Sequence, residues 1–183
     1  MAKKVFLSDL SVQGIENLKK ELLNYKNYTL QQKVNEYVSR LLEVGITVAQ
    51  TNVSESPLGK YVTLSAHTIP GKVCKGILIA KGEIKKEMDN KGNSYPPFST
   101  ILAIEFGAGV HFNPTPNPNA DKFGLGVGTF PGQTHAFEDM WFYWDEKDQK
   151  WKPTHGVKAT MPMYNAQMKM IQDATRIARE VFR

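Results

Sequence analysis

Apolar residues recur at three- and four-residue spacing near the N-terminus, and this spacing predicts helices. In the first stretch Ser11 can cap a helix, and one face of that helix carries Ile15, Leu18, Leu22 and Tyr25. The face is apolar while the intervening positions are largely charged or amide side chains. A first amphipathic helix is therefore expected from Ser11 onwards.

A second helix follows, with Thr29 as its candidate cap and Gly45 where a left-handed terminator is wanted. Its apolar side consists of Leu30, Val34, Tyr37, Val38, Leu41 and Leu42. The link at residues 24–28 is short, so the two segments can form either a helical hairpin or one broken helix.

From Ile46 the apolar period changes to two, which predicts strands at 46–49 and 61–66. Residues 69–72 then supply a proline and a glycine suited to the centre of a type II turn. A returning strand at 73–80 completes a predicted β-hairpin over residues 60–80.

Further strands are predicted in the second half of the chain. The apolar density of 100–106 suggests a central strand, and 141–144 suggests another, paired through a polar turn with 150–152. These assignments favour a mainly antiparallel sheet.

The last helix has the clearest boundaries. Thr160 is a plausible cap, and Pro162 suits the first turn, where its missing N–H costs nothing. The apolar stripe that follows consists of Tyr164, Met168, Ile171, Ala178 and Phe182, widened by Met163, Met170, Ala174, Ile177 and Val181. A stripe this broad favours core packing, with an adaptable methionine-rich partner surface as the alternative.

These elements together predict an α+β fold, with a mainly antiparallel sheet, helices packed on one face and a long C-terminal helix. We expect a single domain over residues 1–183 with a long interaction loop at about 107–140. That loop is rich in glycine, proline, asparagine and aromatic residues, and poor in charged catalytic side chains.

Composition narrows the class of protein. The chain has 183 residues, of which 41% are hydrophobic and 22% charged, as in a soluble globular domain. No apolar run reaches the roughly 20 residues of a membrane span, and the N-terminus lacks a secretory signal core, so folding in a reducing cytoplasm is expected. The single cysteine, Cys74, is expected to be a small core residue in a strand.

The net charge of +5 suggests nucleic acid as a possible partner. Acids nevertheless interleave with the basic residues at 81–89 and 145–150, a pattern typical of a solvated surface. No nucleic-acid-binding motif accompanies the charge.

Catalytic motifs are weak throughout. The segment 124–128 is glycine-rich but lacks the lysine of a phosphate-binding loop, and Glu105, Glu138 and Asp139 have no partner nucleophile. The four histidines, His67, His111, His135 and His155, are too dispersed for a local metal motif. We expect no enzyme activity, cofactor or metal; a small hydrolase using His111, His135 or Glu105 remains an alternative.

Two segments in a particular order carry a family resemblance. A predicted strand ends in Ile104-Glu-Phe-Gly107, and after a variable loop the segment 156–166 opens the final helix with an Ala-x-x-Pro-hydrophobic start. This arrangement resembles the tail-completion or neck proteins of long-tailed bacteriophages over residues 28–182. The resemblance implies a small α+β domain that forms a ring, hexameric in the family, at the junction of head and tail.

The implied function is that of a virion structural protein of the neck, completing the tail or joining it to the head connector. Its partners would be copies of itself, connector proteins and tail-tube or terminator proteins, with passive contact to passing DNA and no membrane. It would be made and assembled in the bacterial host cytoplasm. A nucleic-acid-binding protein that uses its basic surface is the alternative.

Ring subunits need two different contact surfaces, and two segments are candidates. The predicted hairpin tip contributes His67, Thr68, Pro70 and Lys72, and the loop contributes Val110, His111, Phe112, Phe123, Phe130 and His135. For the three phenylalanines an interface role and a core role are equally supported. Phe142 and Trp144 are expected in the core.

Overall fold

The computed structural model describes residues 5–7, 9, 11–71, 73–85, 98–111, 113, 117–126, 133, 135–145 and 148–183. The helices in this part of the chain are α1 (Val12–Asn24), α2 (Leu30–Ser54), α3 (Thr100–Phe106) and α4 (Pro162–Phe182). The strands are β1 (Val62–Ile69), β2 (Lys75–Gly82), β3 (Ile84–Lys85), β4 (Phe98–Ser99), β5 (Trp141–Asp145) and β6 (Lys150–Thr154). Short 3₁₀ turns lie at Gly59–Tyr61 and Ala120–Phe123.

The α+β class and the long C-terminal helix are confirmed. In the described ranges the strands form three two-stranded sheets, β1–β2, β3–β4 and β5–β6, instead of one larger sheet. No helix among the described residues is long and apolar enough to cross a membrane.

The chain divides into two compact units. The first consists of Met1–Gly45, Ala66–Leu78 and Lys169–Arg183, and the second of Ile46–Ser65 and Ile79–Met168. The single-domain assignment over 1–183 remains a prediction.

In the first unit, α1 and α2 are consecutive parts of a helical stretch. Ser11 caps α1 as predicted, because its Oγ accepts a hydrogen bond from the Gly14 N–H at 3.0 Å. The predicted cap at Thr29 is wrong: Tyr25–Thr29 forms a π-helical turn, in which the Leu30 N–H donates to the Tyr25 carbonyl. Of the two alternatives for this link, the broken helix is the one observed.

Helix α2 does not end at Gly45, and the strand predicted at 46–49 is wrong because these residues lie inside the helix. Gly45 instead faces α4, where an added Cβ would lie 2.7 Å from the Met170 Sδ. The glycine is therefore needed for close helix–helix approach, a role that sequence cannot distinguish from helix termination.

Helix α2 packs on the β1–β2 sheet and on α4. On the sheet side, a Cβ at Gly76 would meet the side chains of Val38 and Leu42, and Ser39 shares a 3.1 Å hydrogen bond with Thr68. On the α4 side the Tyr37 and Phe182 ring centroids are 5.9 Å apart, and Arg40 Nη1 is 3.5 Å from Glu180 Oε2.

The hairpin predicted at 60–80 is confirmed as β1 and β2. Cys74 lies just before β2 and is half-buried, so its assignment to a strand core is wrong. Lys72, in the predicted turn at 69–72, lies outside the described residues.

In the second unit, Thr100–Phe106 forms α3, so the predicted central strand is wrong. The N–H and hydroxyl of Thr100 both hydrogen-bond to the Glu83 carbonyl, at 3.1 and 3.2 Å, as the chain enters the helix from β4. Five of the seven residues of α3 are buried, and a short run buried on nearly every side has no periodicity to separate helix from strand.

The β5–β6 hairpin is confirmed as an antiparallel pair, with Trp144 opposite Trp151. Helix α4 begins at Pro162, as expected, but Thr160 does not cap it: its Oγ1 is buried with no hydrogen-bond partner among the described residues. The predicted apolar stripe is only partly buried. Ile177 and Val181 are covered, whereas Met168, Ile171 and Phe182 are exposed.

Candidate functional site

The β5–β6 hairpin has one apolar face that none of the described residues covers. Residues directly opposite each other in an antiparallel pair project to the same side, which places Phe142 with Pro153 and Trp144 with Trp151. We call these four residues the aromatic face. Its aromatic side chains are 56%, 43% and 54% exposed for Phe142, Trp144 and Trp151, respectively.

The two tryptophans support each other on this face. Their ring centroids are 5.7 Å apart in an edge-to-face arrangement, which aromatic pairs prefer. Pro153 beside Phe142 is also exposed. The aromatic face is therefore a preformed surface of rigid side chains, the type enriched at protein interfaces.

The opposite face of the hairpin is held by specific contacts. Trp141 stacks on His135 with ring centroids 6.2 Å apart, and a Cβ added at Gly109 or Gly156 would lie 3.2 Å from the indole. Close backbone approach at these two glycines therefore creates the space that Trp141 occupies.

Lys152 lies on the same face as Trp141. Its Nζ is 2.7 Å from Asp145 Oδ2 and 2.5 Å from Asp148 Oδ2. The hydrogen bond that Lys152 donates to Asp145, followed by the one that it donates to Asp148, raises the pKa of Lys152 above its ordinary value. This cluster ties the two strands together at their turn end.

Phe142 and Trp144 were expected in the core, and this prediction is wrong. Side chains of a strand alternate between its two sides, so once Trp141 packs against His135 its neighbours with even numbers must point away. Sequence identifies the aromatic residues but not which of the two sides is covered.

The aromatic face carries no charge of its own, and the described charges near it balance. Asp145 and Asp148 oppose Lys150 and Lys152, and Lys150 Nζ is 4.0 Å from Asp148 Oδ2. A surface that is apolar and locally neutral fits a protein partner better than a phosphate backbone.

The loop after α3 is attached to the unit by a buried asparagine. The Asn113 amide Nδ2 lies 3.0 Å from the Gly109 carbonyl and 2.9 Å from the Val157 carbonyl, and its Oδ1 accepts from the Ala159 N–H at 2.7 Å. Asn113 is 4% exposed. It substitutes for backbone hydrogen bonds between the loop and the segment before α4.

Glu105 provides the cap of α4 from a distant part of the chain. Its Oε2 accepts the Met163 N–H at 2.9 Å and its Oε1 accepts the Tyr164 N–H at 3.0 Å. Asn117 Nδ2 adds a third hydrogen bond to Oε1 at 3.0 Å. The carboxylate is 8% exposed, and each of these partners is a donor, as a buried anion at a helix N-terminus requires.

Glu105 is thus a buried residue of α3 whose carboxylate is used within its own chain. The backbone reinforces the same junction, because the Thr160 and Met161 N–H groups both donate to the Ile104 carbonyl. The segments 104–107 and 156–166, which carry the family resemblance, are in direct contact.

Three histidines approach the two adjacent acids before β5. His135 Nδ1 is 2.8 Å from Glu138 Oε1, His111 Nε2 is 3.5 Å from Asp139 Oδ1, and His155 Nδ1 is 2.8 Å from the Asp139 carbonyl. His111 and His135 thus contact neighbouring acids and not a shared ligand site. Within the described ranges, no group of three or more such side chains could hold a metal ion.

The residues predicted for the interface lie in several environments. His67, Pro70, His111 and Phe123 are exposed, whereas Thr68, Val110 and His135 are half-buried. Phe123, at 67% exposure, also makes an edge contact with Phe106, their centroids 5.8 Å apart. Lys72, Phe112 and Phe130 lie outside the described residues. The role of these positions at an interface remains a prediction.

Sequence reasoning missed three kinds of residue here: the Trp151 and Pro153 half of the aromatic face, the anchor Asn113, and the capping partner Asn117. The Trp151 and Pro153 half could have been found from sequence. Side chains alternate between two sides along 150–154 as they do along 141–145, and the two segments were predicted to pair. Buried asparagines in a loop rich in glycine and proline give no signal that separates them from turn residues.

This chain matches no protein-family model, no curated protein and no solved structure.

Proposed function

We propose that this chain is a virion structural protein of the bacteriophage neck, which assembles as a ring that completes the tail or joins it to the head connector. The observation that carries the assembly role is the aromatic face of Phe142, Trp144, Trp151 and Pro153, exposed on a hairpin whose other face is fixed. The neck itself is inferred from the order of sequence motifs.

Physical chemistry favours a partner for this face. Exposed aromatic side chains cost free energy in water, and tryptophans are among the residues that contribute most to protein–protein binding. The edge-to-face tryptophan pair needs little ordering on binding, so little of the contact energy would be lost as conformational entropy.

In a ring the contact is heterologous, so the aromatic face of one subunit would meet a different surface of the next. The hairpin tip at 67–72 and the loop around His111 and Phe123 are the sequence-based candidates for that second surface. Six subunits are expected from the family resemblance. Connector and tail-terminator proteins would stack on the ring, with assembly taking place in the bacterial cytoplasm before the protein enters the virion.

The test compares the wild-type chain with Trp144→Ser/Trp151→Ser by sedimentation velocity and negative-stain microscopy, alone and with co-expressed neck neighbours. Replacing either tryptophan by serine should weaken association by at least about 30-fold if that tryptophan is an interface hot spot. Ile171→Ser is a matched control, because Ile171 is 60% exposed but lies on α4.

Rings in the wild type and control, but not in the double variant, would support the proposal. A monomer that binds neither connector nor tail components would contradict it. Equal dissociation by Ile171→Ser would show that the aromatic face is not a specific contact.

Nucleic-acid binding is the second candidate, favoured by one observation. Lys150, whose side chain is 63% exposed, directly precedes Trp151 in the same strand, and aromatic stacking combined with basic residues binds single strands. Fluorescence anisotropy with single- and double-stranded oligonucleotides at several salt concentrations decides the matter. Steeply salt-dependent binding that is lost in Trp144→Ser would favour this candidate, and absence of binding at low salt would eliminate it.

A further inference from the structure

Helix α1 has an apolar side whose side chains remain largely exposed among the residues that the structure describes. None of its residues is buried, and Val12, Ile15 and Leu22 are 77%, 53% and 44% exposed. The helix is nevertheless strongly amphipathic, with Asn17 and Lys20 on the opposite side. A stripe of this kind normally exists because something covers it.

Four apolar residues, three in α1 and Tyr25 directly after it, also fall on heptad positions. Ile15 and Leu22 are seven residues apart and occupy the a positions, and Leu18 and Tyr25 occupy the d positions. Leu18 is half-buried, and Phe6 makes an edge contact with Tyr25, their ring centroids 5.5 Å apart. We call Ile15, Leu18, Leu22 and Tyr25 the α1 seam.

The seam ends at the π-helical turn at Tyr25–Thr29. One extra residue in a turn rotates all later side chains by about 100° around the helix. Continued without that shift, the a and d positions would fall on Thr29, Gln32 and Glu36, which are not apolar. After the turn, the apolar residues of α2 face β2 and α4 of the same chain.

Charges beside the seam specify the orientation of a second helix. Glu21 occupies a g position and Lys26 the following e position, and these are the positions that face each other across a parallel pair. An antiparallel pair would instead bring g against g and e against e, placing Glu21 near Glu21 and Lys19 near Lys26. Neither Glu21 nor Lys26 forms an ion pair within the described part of the chain.

We propose that α1 joins copies of this chain through a parallel helical bundle built on the α1 seam, with Glu21 of each helix facing Lys26 of its neighbour. A parallel bundle closes about a rotation axis along the helices, which is the symmetry of a closed ring. This interface goes beyond the proposed function, because it shares no residue with the aromatic face and needs no phage partner.

Cross-linking tests the geometry directly. In a Cys74→Ser background, Leu22→Cys places identical thiols side by side in a parallel bundle, within reach of a disulfide under a mild oxidant. The matched control is Lys20→Cys, at an f position on the outer side of the same helix. We expect covalent dimers from Leu22→Cys and none from Lys20→Cys. Equal cross-linking of both, or of neither, would overturn the proposal.

Charge exchange tests the orientation. Glu21→Lys and Lys26→Glu should each weaken association by about two- to fivefold, and the double exchange should restore it. Failure of the double exchange to restore association would rule out the parallel pairing. Circular dichroism should show unchanged helix content, because α1 contributes no buried residue whose loss would unfold the chain.

A final comparison separates this proposal from the ring contact of the aromatic face. In the Trp144→Ser/Trp151→Ser background, sedimentation should still detect association through α1, and adding Leu22→Asp should remove it. If Leu22→Asp changes the sedimentation of neither the wild-type protein nor the Trp144→Ser/Trp151→Ser variant, the proposed α1 bundle is wrong while the aromatic-face proposal stands.

Discussion

Two neighbouring regions of the second unit reverse the usual distribution of polarity. At the junction of α3 and α4, the polar side chains Glu105, Asn113 and Asn117 are buried at 8%, 4% and 2% exposure. On the β5–β6 hairpin, the side chains of Phe142, Trp144 and Trp151 are in contact with solvent.

The difference follows from what each region must satisfy. The junction has backbone N–H groups at the start of α4 and in the loop that need acceptors, so polar side chains stabilise it. The hairpin satisfies its backbone by strand pairing and fixes one face through Trp141, which leaves its other face free to bind. Burial at the junction therefore contributes to stability, whereas the exposed side of the hairpin is the surface that the proposed assembly role would use.

The largest effect is expected at Glu105. Glu105→Ala leaves the Met163 and Tyr164 N–H groups without their acceptor and should destabilise the fold by about 2 to 4 kcal/mol. Urea denaturation followed by circular dichroism measures this change. Glu105→Gln, which keeps one acceptor oxygen, should lose less.

Glu138→Ala is the matched control, because its carboxylate is half-exposed and pairs only with His135 in the described ranges. A change below about 0.5 kcal/mol is expected. Equal losses at both positions would show that Glu105 is not a special cap.

Gly107 should be nearly as sensitive. Its φ of 82° and ψ of 164° lie in a region that only glycine adopts readily, and an added Cβ would overlap the Asn113 carboxamide. Gly107→Ala should cost about 2 to 3 kcal/mol in the free energy of unfolding.

Gly124 provides a comparison, because its φ is also positive but the space around an added Cβ is empty. It has a φ of 65° with no atom within 4 Å of an added Cβ, so Gly124→Ala should cost only about 1 kcal/mol. If the two alanine variants unfold at the same urea concentration, the contact with Asn113 does not hold the loop.

Tryptophans of the aromatic face should contribute little to the stability of the subunit. Trp144→Ser and Trp151→Ser are each expected to change the free energy of unfolding by less than about 1 kcal/mol, since half of each side chain is already in water. Trp141→Ser, on the covered face, should cost about 3 kcal/mol. Urea denaturation of the three variants under dissociating conditions checks this order. A reversed order would mean that Trp144 and Trp151, and not Trp141, lie on the packed side of the hairpin.

The smallest effect concerns pH. Since the pKa of Lys152 is raised in the folded chain, the stability it contributes is present below its unfolded pKa of about 10.4 and is lost as pH rises through the folded value. Asp145→Asn should lower the pKa of Lys152 toward the ordinary value. NMR titration of the Lys152 side chain measures it, and an unchanged titration would contradict the assigned cause.

Much of the fold could be predicted from sequence where a period extended over enough residues. Alternation predicted the β1–β2 and β5–β6 hairpins, and Ser11 and Pro162 marked the starts of two helices. Alternation over only four residues at 46–49 was misleading, because α2 continues past Gly45, and that glycine faces Met170 instead of ending the helix. The short run 100–106 lacked a period altogether.

The candidate site was only partly predictable. Aromatic residues around 137–144 stood out, but their direction depends on Trp141 meeting His135 and also Gly109 and Gly156, and these two glycines are distant in sequence. The role of Glu105 depends on α4, which begins 57 residues later at Pro162. Long-range contacts of this kind leave no local pattern.

The central claim is that the aromatic face is open in the free subunit and covered in the assembly. Hydroxyl-radical footprinting with mass spectrometry reads Phe142, Trp144 and Trp151 separately in dissociated and assembled protein, with the half-buried Trp141 as an internal reference. We predict strong labelling of the three residues in the free subunit and protection on assembly, with Trp141 unchanged. Equal labelling of all three in both states would contradict the account.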